Sequence, residues 1–130
     1  MDILKFFLDF TNNPNAVDNQ GRTPIHSAAA GGHLEVIKVL VNFTNAPNAP
    51  DNRGCTPLHW AAVRGHLEIV KIFAEFTDTP NSPNTNGETP FQIATRNNQI
   101  EIVSILFKVL SKKVMSITNL SNFRAITNTF

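Results

Sequence analysis

The strongest constraint on this chain is that it repeats itself at a fixed interval. The stretch Arg22–Leu40, RTPIHSAAAGGHLEVIKVL, returns over Cys55–Phe73 as CTPLHWAAVRGHLEIVKIF. Thr23-Pro24, Thr56-Pro57 and Thr89-Pro90 recur every 33 residues, and Asp18, Asp51 and Asn84 keep the same register. So do Gly21, Gly54 and Gly87, and Glu35, Glu68 and Glu101. One period before Leu34 stands Met1, where MDILKFFL matches LEVIKVLV. The 130 residues divide into a half repeat at 1–17, full repeats at 18–50 and 51–83, a degenerate repeat at 84–110 and a tail at 111–130. A period of this size marks one supersecondary unit that cannot bury its apolar face alone and stacks on its copies.

Each unit has a physical reading. DNQG, DNRG and NTNG are turns, in which the leading Asp or Asn bonds its own backbone and Gly supplies a positive φ. Thr then caps a short helix whose first residue is Pro, where the missing N–H is no loss. Paired alanines (Ala28-Ala29, Ala61-Ala62) let helices approach closely, and Gly-His (Gly32-His33, Gly65-His66) ends that helix and starts a longer one. The longer helix is apolar except for a narrow stripe: Glu35, Lys38 and Asn42, then Glu68, Lys71 and Glu75. Such a helix must be covered from more than one side, and only a stack of units supplies that cover.

The turn, the G-x-TPLH-x-AA and GHLEIVK signatures and the 33-residue period together resemble the ankyrin repeat, from residue 1 to about 107. The resemblance implies an all-α repeat solenoid of inner and outer helices joined by short β-hairpin or loop connections, with a concave face that binds partner proteins. The chain departs from the family pattern in places. Thr11, Thr44 and Thr77 stand where a helix-ending Gly is usual, and Asn12, Asn45 and Asp78 are expected to make the turn instead. PNAP and PNSP replace the hairpin strand, so looser pairing is expected. The third repeat has Gln92 for the motif histidine and NNQ in place of the Gly-His break.

Composition fits this fold and excludes other classes. The chain is 42% hydrophobic and 16% charged, which is globular rather than disordered. A net charge of +1 argues against a nucleic-acid binder, which needs clustered Lys and Arg. No segment reads as a membrane span or secretory leader. A single cysteine, Cys55, allows no intrachain disulfide, and with the absence of a leader this points to an intracellular protein, cytoplasmic or nuclear. His26, His33, His59 and His66 all keep register with the repeat, so they read as scaffold rather than metal ligands. No phosphate-binding loop, paired carboxylates or nucleophile triad appears, so neither catalysis nor a cofactor is expected.

Positions not used by the scaffold are the candidates for binding. The resemblance places them on the hairpin residues flanking each Gly and on the free side of the inner helix. The candidates are Arg22, Asn52, Arg53, Cys55, Trp60, Arg64, Glu88 and Arg96, with Ser27, Val63 and Ile93 among their neighbours. Four arginines against one glutamate, beside the only tryptophan, suggest a face for an acidic or acidic–aromatic protein segment. Arg53 beside Cys55 would lower its thiol pKa; the alternative for Cys55 is an exposed variable position. Asn48, with Asn15 and Asn81, occupies the hairpin position that in many ankyrin proteins is hydroxylated by an asparaginyl hydroxylase, although a Pro precedes each one.

The two ends carry further expectations. Met1–Phe10 has the pattern of an internal outer helix, so it either continues from upstream repeats or associates with another copy. In the tail, Val114, Ile117, Leu120, Phe123 and Ile126 recur every third residue. That spacing is expected to form a C-terminal capping helix, or else a disordered or partner-bound segment.

Overall fold

The computed structural model describes residues 13–44, 46–77 and 79–121, with side chains up to residue 112. The half repeat over 1–12, the turn candidates Asn45 and Asp78, and the tail residues Phe123 and Ile126 lie outside the described residues. So does the evidence for upstream repeats or self-association through Met1–Phe10.

Among the described residues the chain forms six helices. Inner helices α1 (Pro24–Gly31), α3 (Pro57–Arg64) and α5 (Pro90–Arg96) alternate with outer helices α2 (Leu34–Leu40), α4 (Leu67–Phe76) and α6 (Ile100–Ser121). The inner helices pack on one another in sequence, and so do the outer ones, giving a two-layer stack. Helices of seven to ten residues are unstable alone in water, so the stack holds them. Ala28, Ala29, Ala61, Ala62 and Ala94 are fully buried, as are Ile25, Ile37, Leu58, Val70, Phe73 and Leu106. Removing a side chain such as Leu58 or Phe73 from such a core costs about 2–5 kcal/mol. The surface pairs Lys38–Glu35 at 3.3 Å and Lys71–Glu68 at 3.1 Å are exposed and contribute about 0.2–0.5 kcal/mol each.

The connections are turns, with no β-strand among the described residues. Each begins with the expected Asx residue. Asp51 Oδ1 accepts from the backbone N–H of Arg53 and Cys55, both at 2.9 Å, and Asn84 Oδ1 does the same for Asn86 and Glu88. Asp18 serves Gln20 and Arg22 alike. Neighbouring turns are joined by a single backbone bond each, Asn52 N–H to the Gln20 carbonyl and Thr85 N–H to that of Arg53, both 2.9 Å. Pro47, Pro50, Pro80 and Pro83 have no N–H to extend such a ladder.

Buried histidines tie each unit to the next. His59 Nδ1 accepts from the Thr56 backbone N–H at 3.1 Å, and its Nε2 donates to the Glu88 carbonyl of the following turn at 2.9 Å. His26 repeats this with Thr23 at 3.0 Å and the Cys55 carbonyl at 3.1 Å. Both rings are therefore neutral, with the proton on Nε2. In the third repeat Gln92 Oε1 takes over the first half of the task, accepting from Thr89 N–H at 3.1 Å.

The corner between inner and outer helix requires a left-handed residue. Gly32 and Gly65 adopt φ 76° and 75° there, and Asn98 replaces them with φ 57°, because Asn tolerates this region. From that corner His66 Nε2 donates to the Ala30 carbonyl at 3.1 Å, satisfying a carbonyl at the end of α1. The last outer helix is 22 residues long: it continues past residue 110 through most of the tail.

Burial holds the His26 and His59 imidazoles below their ordinary pKa near 6.5, only partly offset by their carbonyl partners. A lowered folded value means that the stability they give is present above the unfolded pKa. It is lost as pH falls through the folded one. We expect the thermal midpoint to hold above pH about 6.5 and to fall below it. Replacing His26 and His59 together by Gln should lower the midpoint at neutral pH, at about 0.5–1.5 kcal/mol for each lost bond. It should also flatten the acid slope, so an unchanged slope in that double variant would refute the histidine account.

Candidate functional site

The candidate residues sit in the turns and on the inner helices, and they are not equivalent once their partners are counted. Arg22 Nε binds Asp18 Oδ2 at 3.0 Å. Arg96 pairs with Glu88, whose other oxygen accepts from Asn84 Nδ2 at 3.3 Å. These contacts draw the Asp18 and Glu88 carboxyls below their usual range, Asp18 chiefly through the Arg22 backbone N–H and Glu88 chiefly through the Arg96 guanidinium. Two of the four arginines are thus neutralised within their own repeat.

The middle repeat differs for a reason visible in its sequence. Cys55 stands where the first repeat has Arg22, so Asp51 meets no guanidinium at that position. Its Oδ2 instead accepts from Trp60 Nε1 at 3.3 Å, which fixes the half-buried indole against the base of the turn. Arg53 at the turn tip and Arg64 at the end of α3 are exposed, and neither makes an ion pair among the described residues. Trp60 and Arg64 are four residues apart on α3, hence on one face, and Val63 beside them is 40% exposed. The eight residues of α3 span about 12 Å, with Trp60 midway along the helix and Arg64 at its end. Asn52 is also exposed, but its Nδ2 donates to the Asn19 carbonyl at 3.2 Å and so joins neighbouring tips.

Two expectations change. Ile93 is not a surface position: it is 2% exposed and belongs to the interior. Cys55 is neither an exposed variable residue nor an activated thiol. It is half-buried, its Sγ accepts from Asn84 Nδ2 at 3.7 Å, and burial outweighs the nearby Arg53 to push the thiol up. Asn48 is half-buried with both ends of its amide engaged, Oδ1 accepting from Leu58 N–H at 3.3 Å and Nδ2 donating to Thr77 Oγ1 at 3.5 Å. It therefore joins the start of α3 to the end of α4. The residue that sequence reasoning missed is Asp51, which was assigned to the turn alone; the arginine-to-cysteine change at the repeat-equivalent position was the available signal.

The site has no further chemistry on display. Among the described residues no group of three or more His, Cys, Asp or Glu could hold a metal ion, and no helix is long and apolar enough to cross a membrane. A groove of about 370 Å³ lies at the corners between inner and outer helices, lined by Gly32, Leu34 and Gly65–Ile69.

A family model describing ankyrin repeats in three copies matches residues 1–83 and 47–118. The chain belongs to the ankyrin-repeat family. Comparison with curated proteins returns no match. Ankyrin repeats serve in general as protein–protein interaction modules, so the stack is a scaffold of that kind, and its variable residues distinguish it from other members.

The raised Cys55 pKa has a direct readout. At neutral pH, alkylation of the folded ankyrin stack should proceed more slowly than that of a free cysteine and should accelerate on unfolding. Reaction at the free-thiol rate in the folded protein would contradict the burial described above.

Proposed function

We propose that this ankyrin stack is a non-catalytic binding module whose turn-and-inner-helix face holds an acidic or acidic–aromatic segment of a partner protein. The observation that carries the reading is that the middle repeat combines two exposed arginines without an ion pair among the described residues and an indole held in position by Asp51. Arg offers a planar fork for a carboxylate, and Trp offers apolar area with little conformational freedom to lose. Arg22 and Arg96 already hold carboxylates, so they contribute less. An extended segment advances about 3.3 Å per residue, so about four residues would run the length of α3 past Trp60 to Arg64. The alternative in which Asn48 is an asparaginyl hydroxylase substrate receives less support, because its amide is engaged at both ends and would have to be released first.

A random peptide library displayed against the folded protein tests the reading. Peptides rich in Asp, Glu and aromatic residues should be enriched. Reversing Arg53 and Arg64 to Glu should weaken the selected peptides by at least about tenfold, or ~1.4 kcal/mol, while leaving the thermal midpoint near its original value. Trp60→Ala should cost more than about 1 kcal/mol of binding, as a central anchor does. Enrichment of peptides indifferent to charge, or retained affinity in the double reversal, would sink the proposal.

A further inference from the structure

Each turn carries a glycine in register, and the residue before it is Gln20, Arg53 or Asn86. Asn86-Gly87 is the one Asn-Gly dipeptide in the chain. Such a pair can react with itself. The carboxamide carbon of Asn lies within reach of the next backbone nitrogen, closing a succinimide ring, and Gly has no Cβ to obstruct the approach. The attack requires the peptide unit between the two residues to turn, so its surroundings decide whether the reaction runs.

All three turns hold the glycine N–H alike. Gly21 donates to the Asp18 carbonyl, Gly54 to that of Asp51 and Gly87 to that of Asn84, at 3.0, 2.9 and 2.9 Å. The turns differ at the carbonyl of the same peptide unit. Because that unit is planar, its carbonyl and the following nitrogen rotate together. The Gln20 carbonyl accepts from Asn52 N–H and the Arg53 carbonyl from Thr85 N–H, which pins both units to the next turn. The Asn86 carbonyl accepts no backbone bond among the described residues.

The cover over the glycines follows the same order. Asn52 crowds Gly21, and the backbone of Asn84 and Thr85 comes to 3.0 Å from where a Cβ on Gly54 would stand. No described atom lies within 4 Å of that point at Gly87, whose φ is +78°. Asn86 is exposed, and its backbone N–H donates to Asn84 Oδ1 at 2.9 Å, while its carboxamide makes no hydrogen bond among the described residues. The reactive dipeptide thus occupies the one turn of the three whose peptide unit is neither pinned nor covered by described residues.

We infer that Asn86 is a self-modifying site, at which its carboxamide is converted to a carboxylate through a cyclic imide with Gly87. The Gly87 nitrogen gives up its proton and bonds to Asn86 Cγ. The carboxamide C–N bond breaks, and its nitrogen leaves with a proton as ammonia. Water then adds to either carbonyl of the ring and reopens it. One opening yields aspartate, and the other yields isoaspartate, in which the main chain runs through the former side chain. Nothing is oxidised or reduced, and water is the co-reactant. Either product places a negative charge next to Thr85, the residue whose N–H holds the Arg53 carbonyl.

Incubating the full chain at neutral and mildly alkaline pH, with peptide mapping by mass spectrometry, tests this without reference to a binding partner. Asn86 should convert at least about tenfold faster than any other asparagine, and faster still as pH rises. Asn86→Gln should remove that product and leave helix content and thermal midpoint unchanged. Arg53→Asn separates the dipeptide from its setting, because it puts Asn before Gly54, where the peptide unit is pinned and covered. In the folded protein position 53 should then convert at least about threefold more slowly than Asn86, and in denaturant the two rates should converge. Conversion of Asn86 no faster than that of the other asparagines would overturn the inference. So would equal rates at positions 53 and 86 in the folded protein.

Discussion

The stack depends on a buried imidazole that faces two ways. His26 and His59 each accept from the start of their own inner helix and donate to a carbonyl of the next turn. A turn held by one backbone bond to its neighbour would otherwise be poorly fixed, since an isolated hairpin is marginal in water. The imidazole also satisfies a buried carbonyl, which would cost about 1–3 kcal/mol if left without a partner. Where the next turn is absent the histidine is absent too: Gln92 keeps the bond to Thr89 and lies exposed. The motif is thus a joint between units, and it is replaced at α5, the last inner helix among the described residues.

Because the joints fix every turn in the same pose, small sequence differences translate directly into electrostatics. In the first and third repeats an acidic side chain at the turn meets an arginine, Asp18 with Arg22 and Glu88 with Arg96. In the second, cysteine replaces arginine at position 55, the Asp51 carboxylate turns to Trp60, and Arg53 and Arg64 are left facing solvent. The exchange leaves Asp51 to hold the indole, and Arg53 and Arg64 are separate differences, standing where the first repeat has Gln20 and Gly31. Exposed internal pairs of this kind contribute little to stability, so the exchange changes the surface of the stack more than its folding.

What the sequence made legible was whatever is local and repeated. The Thr-Pro cap, the Asx turn and the paired alanines each act within a few residues, and three copies in phase leave little ambiguity. What escaped depended on distant neighbours or on the last copy. The environment of Cys55 is set by Asn84, 29 residues away, and the engagement of Asn48 by Leu58 and Thr77; neither shows in a local motif. The length of α6 was hidden for another reason. Its Ser, Thr and Asn content is poor for a helix interior, yet no Gly or Pro occurs between Ile100 and Ser121 to end it.

The two layers of a solenoid need not end at the same place. Stability in such arrays is a sum of unit and nearest-neighbour terms, so each layer can close or continue on its own. Here the inner layer closes at α5 through Gln92 and Thr95, which replace a joint and a small contact with side chains that water can serve. Among the described residues the outer layer ends on α6 with Ile100 and Phe107 exposed. α6 carries a phenylalanine where α4 has an alanine, and that ring is largely exposed. Exposing large apolar groups in a row is a liability for a single chain. Among the described residues the inner layer thus ends on side chains that water can serve, while the outer layer ends on apolar ones.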